Sequence, residues 1–140
     1  MVNVPRIYQL IEQIQKNLKK LKFLSRLPGE EFLSDFTKCD SAKYELQTAI
    51  EACLDIGSHI IASENYDKAE TYAEVFKVLV SEGVVGQELL SNLVSMARFR
   101  NRLVHMYWEI DDQSIYDIVK EKLSDFDSYL RYIVNWIEKK

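Results

Sequence analysis

A chain of 140 residues has room for one domain with a real core and too little for two, so residues 1–140 are assigned to a single domain. It is 47% hydrophobic and 29% charged with only 4 glycines and 2 prolines, the makeup of a folded, soluble, helix-rich protein with little loop. A net charge of -4 excludes a protein that coats nucleic acid by bulk electrostatics, so any RNA contact must be local.

In chain order, Pro5 sits where a first helical turn tolerates it, and Ile7, Leu10, Ile11, Ile14, Leu18, Leu21 and Leu24 repeat at helical spacing up to Pro28-Gly29. After a break over Leu27 to Asp35, a long second helix carries Leu46, Ile50, Cys53, Leu54, Gly57, Ile60 and Ile61 and ends near Glu64-Asn65. A shorter third helix presents Tyr72, Val75, Phe76 and Leu79 and stops at Gly83. The fourth runs from about Gln87 to Trp108. Asp111-Asp112 opens the fifth, where acids suit the N-terminal dipole, and Ile115, Ile118, Val119, Phe126, Leu130, Ile133 and Ile137 form its buried stripe. No alternating stretch competes as a strand. The expected fold is all-α, an antiparallel four-helix bundle with helix three as an additional short piece. Trp108, Trp136, Tyr129 and Tyr132 exceed what a small core easily hides, which points to some of them covering a subunit interface.

No segment approaches about 18 uncharged apolar residues, and the start MVNVPRIYQLIEQ lacks the basic head and apolar core of a signal peptide, so a cytoplasmic location is expected. Cys39 and Cys53 form no CxxC pair, which argues against a disulfide framework and a cysteine zinc site. His59 and His105 lie far apart without an HxxxH, so no metal is expected, and with no glycine-rich phosphate loop no nucleotide cofactor fold is expected either.

Chemistry is concentrated in Arg100-Asn101-Arg102-Leu103-Val104-His105-Met106-Tyr107. At about 100° per residue, Leu89, Leu93, Met96, Ala97, Leu103, Val104 and Tyr107 fall on the side of Arg100, which places the arginine inside the apolar stripe. A guanidinium stays charged, so there it needs a carboxylate, a backbone oxygen or a phosphate. Arg98, Asn101, Arg102 and His105 line a second, polar strip. His105 is suited to proton transfer near neutrality, and Arg100 to stabilising charge that develops on phosphate oxygens. The competing explanation for Arg100 is an internal ion pair with Asp55 or Glu51 on helix two. Glu51, Asp55 and His59, spaced i, i+4, i+8, share a face and are read as support for Arg100 rather than as catalysts. Lys16, Lys19, Lys20, Lys22 and Arg26 on the first helix are read as a solvated face.

Arg100-Asn101-x-x-x-His105-x-Tyr107 resembles the R-x4-H-x-Y signature of the HEPN superfamily, in its HepT-like branch. The flanks agree: Phe99 to His105 with Tyr107-Trp108-Glu109-Ile110-Asp111 is similar to that branch's helix-four block, and Ala49-Ile50-Glu51 with Asp55-Ile56-x-x-His59-Ile60-Ile61-Ala62 to its helix-two block. The similarity spans roughly residues 5 to 138. It implies a metal-independent endoribonuclease, the toxin of a type VII toxin-antitoxin pair, whose partner is a minimal nucleotidyltransferase antitoxin. It also implies a homodimer with a composite cleft, with further assembly left open, an RNA substrate and no membrane. By position, Arg100 would stabilise the scissile phosphate, His105 would act as general acid and base, Asn101 and Arg102 would position substrate, and Tyr107 would receive AMP from the antitoxin. Attack by the ribose 2′-hydroxyl fits such a site, since it needs only a proton acceptor and a cation on the phosphate. Two other readings compete: a helical module that binds a nucleotide or a protein without turnover, and a structural dimeric bundle in which Arg100 is paired to Asp55.

Overall fold

Asn3 starts the first helix, its side chain accepting from the N–H of Arg6 while Pro5 sits in the first turn, where no N–H is required. In the computed structural model, which describes residues 1–140, this helix is α1 (Val4–Ser25). The expected break after it contains a single helical turn, α2 (Gly29–Leu33), whose Phe32 is fully buried and stacks at a tilt on Tyr116. Asp35 then caps α3 (Phe36–Ser63), accepting from the Thr37 N–H. Its C-terminus closes with Asn65 in the left-handed region at φ 58°, and the Tyr66 N–H returns to the Ile61 carbonyl.

The remaining helices are α4 (Tyr72–Ser81), α5 (Leu90–His105), α6 (Asp112–Glu121) and α7 (Ser124–Glu138). Gly83, at φ 78°, ends α4 where the sequence places the stop. α3 is the central element, touched by α1, α2, α4, α5 and α6. Its apolar positions on several sides are buried for that reason, from Cys39 and Leu46 to Ile60. α4 crosses α3 at Gly57, where a Cβ would lie only 2.6 Å from Val75 Cγ1 and 3.1 Å from Leu79 Cδ1. One cluster of buried side chains runs through all seven helices. The fold is all-α, with no strand.

Two expectations change. The fifth stretch is not one helix: the chain turns at Lys122-Leu123, so that α6 packs on α1 and α3 while α7 redirects Phe126, Tyr129 and Ile133 into the core. Of the four large aromatics, some of which were expected at an interface, Tyr129 is core. It is fully buried, packs edge-on against Phe76 at 5.6 Å, and donates its hydroxyl to the Cys53 carbonyl at 2.8 Å. Trp108 is 80% exposed, and Trp136 and Tyr132 are half-buried. No helix is long and apolar enough to cross a membrane.

Candidate functional site

α5 buries Leu93, Met96, Ala97 and Leu103, and Arg100 shares that side, with 15% of its side chain exposed. The helix therefore delivers a guanidinium into a largely dry position, where it must be met by an acceptor. Arg100 Nε and Nη2 both donate to Glu51 Oε2, at 3.1 and 2.7 Å. The guanidinium carbon stands 4.8 Å from the centre of the Tyr72 ring, at the start of α4. Nη1 reaches Asn101 Oδ1 only at 3.4 Å. One carboxylate oxygen thus holds one edge of the cation beside the Tyr72 ring, and the other edge keeps donor capacity for an anion.

Glu51 is the acid that answers Arg100. Asp55 makes no bond to it: its side chain is exposed, with Arg6 as its cationic neighbour, and partial desolvation raises its pKa. His59 serves the start of α1 instead, its Nε2 accepting the Asn3 N–H at 3.0 Å, which ties the N-terminus to α3. Of the three residues that share a face on α3, packing selects one.

Asn101, Arg102 and His105 are all exposed at the C-terminal end of α5, where unpaired carbonyls favour basic side chains. His105 is the last helical residue. Met106 leaves the helix at φ -136°, ψ 39°, its N–H closing on the Arg102 carbonyl at 2.8 Å. The sequence expectation of a helix continuous to Trp108 is corrected here: a 3-10 turn, Tyr107–Glu109, follows, and Ile110 is pulled into the core.

The break moves Tyr107 away from Arg100, onto the early turns of α3. Its hydroxyl donates to Asp40 Oδ1 at 3.0 Å, and Lys43 Nζ stands 4.5 Å from its ring centre. Lys43 is itself buried and lies 3.6 Å from Asp112 Oδ1. Burial first, and then the bond to Asp40, push the Tyr107 phenol above its ordinary value. The aromatic ring is held by these contacts while 38% of the residue stays exposed.

Asp40 and Lys43 are absent from the sequence reading, and Tyr72 enters it only as an apolar position of the third helix. Phe36, Asp40 and Tyr44 recur at i, i+4, i+8 and are all exposed, an aromatic-acid-aromatic stripe that was a usable signal. Tyr72 offered none beyond being an aromatic at a helix start. No three His, Cys, Asp or Glu side chains converge as a metal-binding group, and Cys39 and Cys53 are free and buried, their thiols pushed up by desolvation. The last turns of α5 thus present a cation with spare donors, at Arg100, and five positions on an exposed imidazole, at His105.

The model of the family described as Ribonuclease HepT-like matches residues 9–133. An "mRNA nuclease HepT" of Shewanella oneidensis is 32% identical over 105 residues, covering 75% of this chain and 79% of the relative. A "tRNA nuclease HepT" of Aphanizomenon flos-aquae is 28% identical over 91% of this chain and 86% of its own length. Among solved structures, the tri-AMPylated Shewanella oneidensis HEPN toxin in complex with MNT antitoxin superposes with a TM-score of 0.86 at 29% identity, covering 96% of this chain and 99% of that one.

Proposed function

Because the chain belongs to the HepT-like ribonuclease family, we propose that it is a toxin that cuts RNA by attack of the ribose 2′-hydroxyl, with Arg100 and His105 as the catalytic pair. The single observation that carries this reading is the unequal use of the guanidinium. Glu51 occupies one edge through one oxygen, and Nη1 on the other edge has only the 3.4 Å contact to Asn101 Oδ1, on the helix whose last residue is the exposed His105. The ion pair is not a seal, since a third of the Glu51 side chain is open to solvent.

In the reaction, His105 takes the proton of the 2′-hydroxyl as its oxygen bonds to phosphorus. Arg100 neutralises the charge that grows on the phosphoryl oxygens, and the 5′-oxygen leaves with a proton. The products are a 2′,3′-cyclic phosphate and a 5′-hydroxyl. Asn101 and Arg102, exposed on adjacent positions, hold the flanking backbone. DNA, lacking the 2′-hydroxyl, is inert.

A second imidazole to serve as the acid comes from a second copy of the chain. Val104, Met106 and Trp108, 39%, 38% and 80% exposed, surround His105 with apolar surface that a solitary protomer would leave wet. The partner that silences the site is a nucleotidyltransferase antitoxin, and the residue it modifies is Tyr107, whose oxygen is exposed two positions beyond His105. An AMP there adds bulk and negative charge at the end of α5, two positions beyond His105.

The test is cleavage of RNA by the purified protein in excess EDTA. Wild type cuts and leaves cyclic phosphate ends. His105→Ala and Arg100→Ala each lose activity by about 100-fold or more while melting as folded proteins. Undiminished cleavage by both variants would reject the site.

A further inference from the structure

Tyr107 is a poor nucleophile as it stands. Even an ordinary phenol is ionised only to about one part in a thousand at pH 7, and burial shifts this one further toward the neutral form. Transfer of a nucleotidyl group to its oxygen therefore needs a proton acceptor in place when the new bond forms. The protein already holds one: the hydroxyl donates to Asp40 Oδ1 at 3.0 Å, and the carboxylate sits on an exposed turn of α3.

We propose that Asp40 is the general base for nucleotidylation of Tyr107, so that the modified protein, rather than the enzyme that modifies it, supplies the proton acceptor. The inference rests on Tyr107 being the acceptor residue. In the step, Tyr107 Oη attacks the α-phosphorus of a nucleoside triphosphate held by the nucleotidyltransferase. The oxygen–phosphorus bond forms, the bond to the β-phosphate's bridging oxygen breaks, and pyrophosphate leaves. The phenolic proton passes to Asp40 and from there to water.

The surroundings suit the role. Donation to Asp40 engages the hydroxyl hydrogen and leaves the oxygen's lone pairs without a donor. Lys43 from α3 lies against the ring at 4.5 Å, and Asp112 from α6 holds that ammonium at 3.6 Å. Those two, with Asp40, are the charged groups that face Tyr107 from the packed elements, and the neutral Cys39 thiol lies buried beside Asp112. The ring is clamped while the reacting atom and its base stay accessible.

The experiment measures AMP incorporation by intact-mass spectrometry, using the full chain, its cognate nucleotidyltransferase, ATP and magnesium, for wild type, Asp40→Asn, Asp40→Ala, Asp40→Glu and Tyr107→Phe. Asp40→Asn keeps an acceptor for the hydroxyl but cannot take its proton. It is expected to lower kcat about 100-fold at pH 7 with KM for the protein substrate unchanged. Its rate should climb about tenfold per pH unit between about 7 and 9, where wild type is nearly flat, and Asp40→Glu should recover most of the activity. Wild-type rates with the wild-type pH profile in Asp40→Asn and Asp40→Ala would overturn the proposal, as would a change confined to KM, which belongs to docking. Incorporation that is absent from wild type, or undiminished in Tyr107→Phe, instead removes Tyr107 as the acceptor and Asp40's role with it.

Discussion

Arg100 and Tyr107 flank the end of α5, and both are tied to acids on α3, yet the two ties are built in opposite ways. Arg100–Glu51 joins two charges at a site where the cation is only 15% exposed, with two short bonds and an aromatic ring behind it. Tyr107–Asp40 is a single bond from a neutral donor on the open surface. The first fixes a charged group so that its free edge can be aimed, and the second holds a reactive oxygen without hiding it. Shielding suits a residue that must stabilise a transition state from one orientation. Exposure suits one that must be reached by another enzyme.

Substitution at Arg100 should separate the two most widely. Arg100→Lys keeps the charge, but a point ammonium cannot use one edge on Glu51 and offer another to a phosphate. RNA cleavage should fall by about 100-fold in kcat/KM, and recovery to near wild type would mean that charge alone suffices. Glu51→Ala comes next. It leaves the guanidinium in place but unaimed, and should cost about 1–2 kcal/mol in urea unfolding, discounted for the partial exposure of the acid, along with roughly tenfold in cleavage. The double variant Glu51→Ala, Arg100→Ala should be no less stable than Arg100→Ala alone, since most of the single-variant loss is the orphaned charge. Against these, Tyr107→Phe and Asp40→Ala should each unfold within about 0.5 kcal/mol of wild type, which would confirm that the surface tie contributes reactivity and little stability.

The sequence made the first tie half legible. Helical spacing placed Arg100 in an apolar stripe and Glu51, Asp55 and His59 on one face, which is as far as periodicity reaches. The choice of Glu51 depends on how α5 lies across α3, and local pattern does not encode that. The second tie was illegible because the helix end was. Nothing between His105 and Trp108 is a glycine or proline, and the helix stops because Ile110 enters the core and Tyr107 finds Asp40. The split at Lys122-Leu123 has the same character: Leu123 is buried and the chain turns to fill the core, without a breaker residue. By contrast, the ends of α3 and α4 fell where expected, since Asn65 and Gly83 take the left-handed conformation that closes a helix.

The smallest expected effect tests whether the two ties can be released separately. Asp35 opens the helix that carries both acids. It accepts from the Thr37 hydroxyl and N–H at 2.5 and 2.9 Å and pairs with Lys38 at 2.9 Å, which holds its pKa down from 3.8 to about 2. A depressed folded value means that this contribution to stability is complete above pH about 4 and is lost as the pH falls through about 2. Over that window the first turn of α3 should loosen. Asp40 sits one turn further on, while Glu51 lies about three turns deeper, so the Tyr107 ring signals in an NMR titration should move before those of Tyr72, which reports on Arg100. Asp35→Asn still caps but does not titrate, and the early Tyr107 movement should diminish in it. Simultaneous movement of both rings in wild type would show instead that the two ties open as one unit.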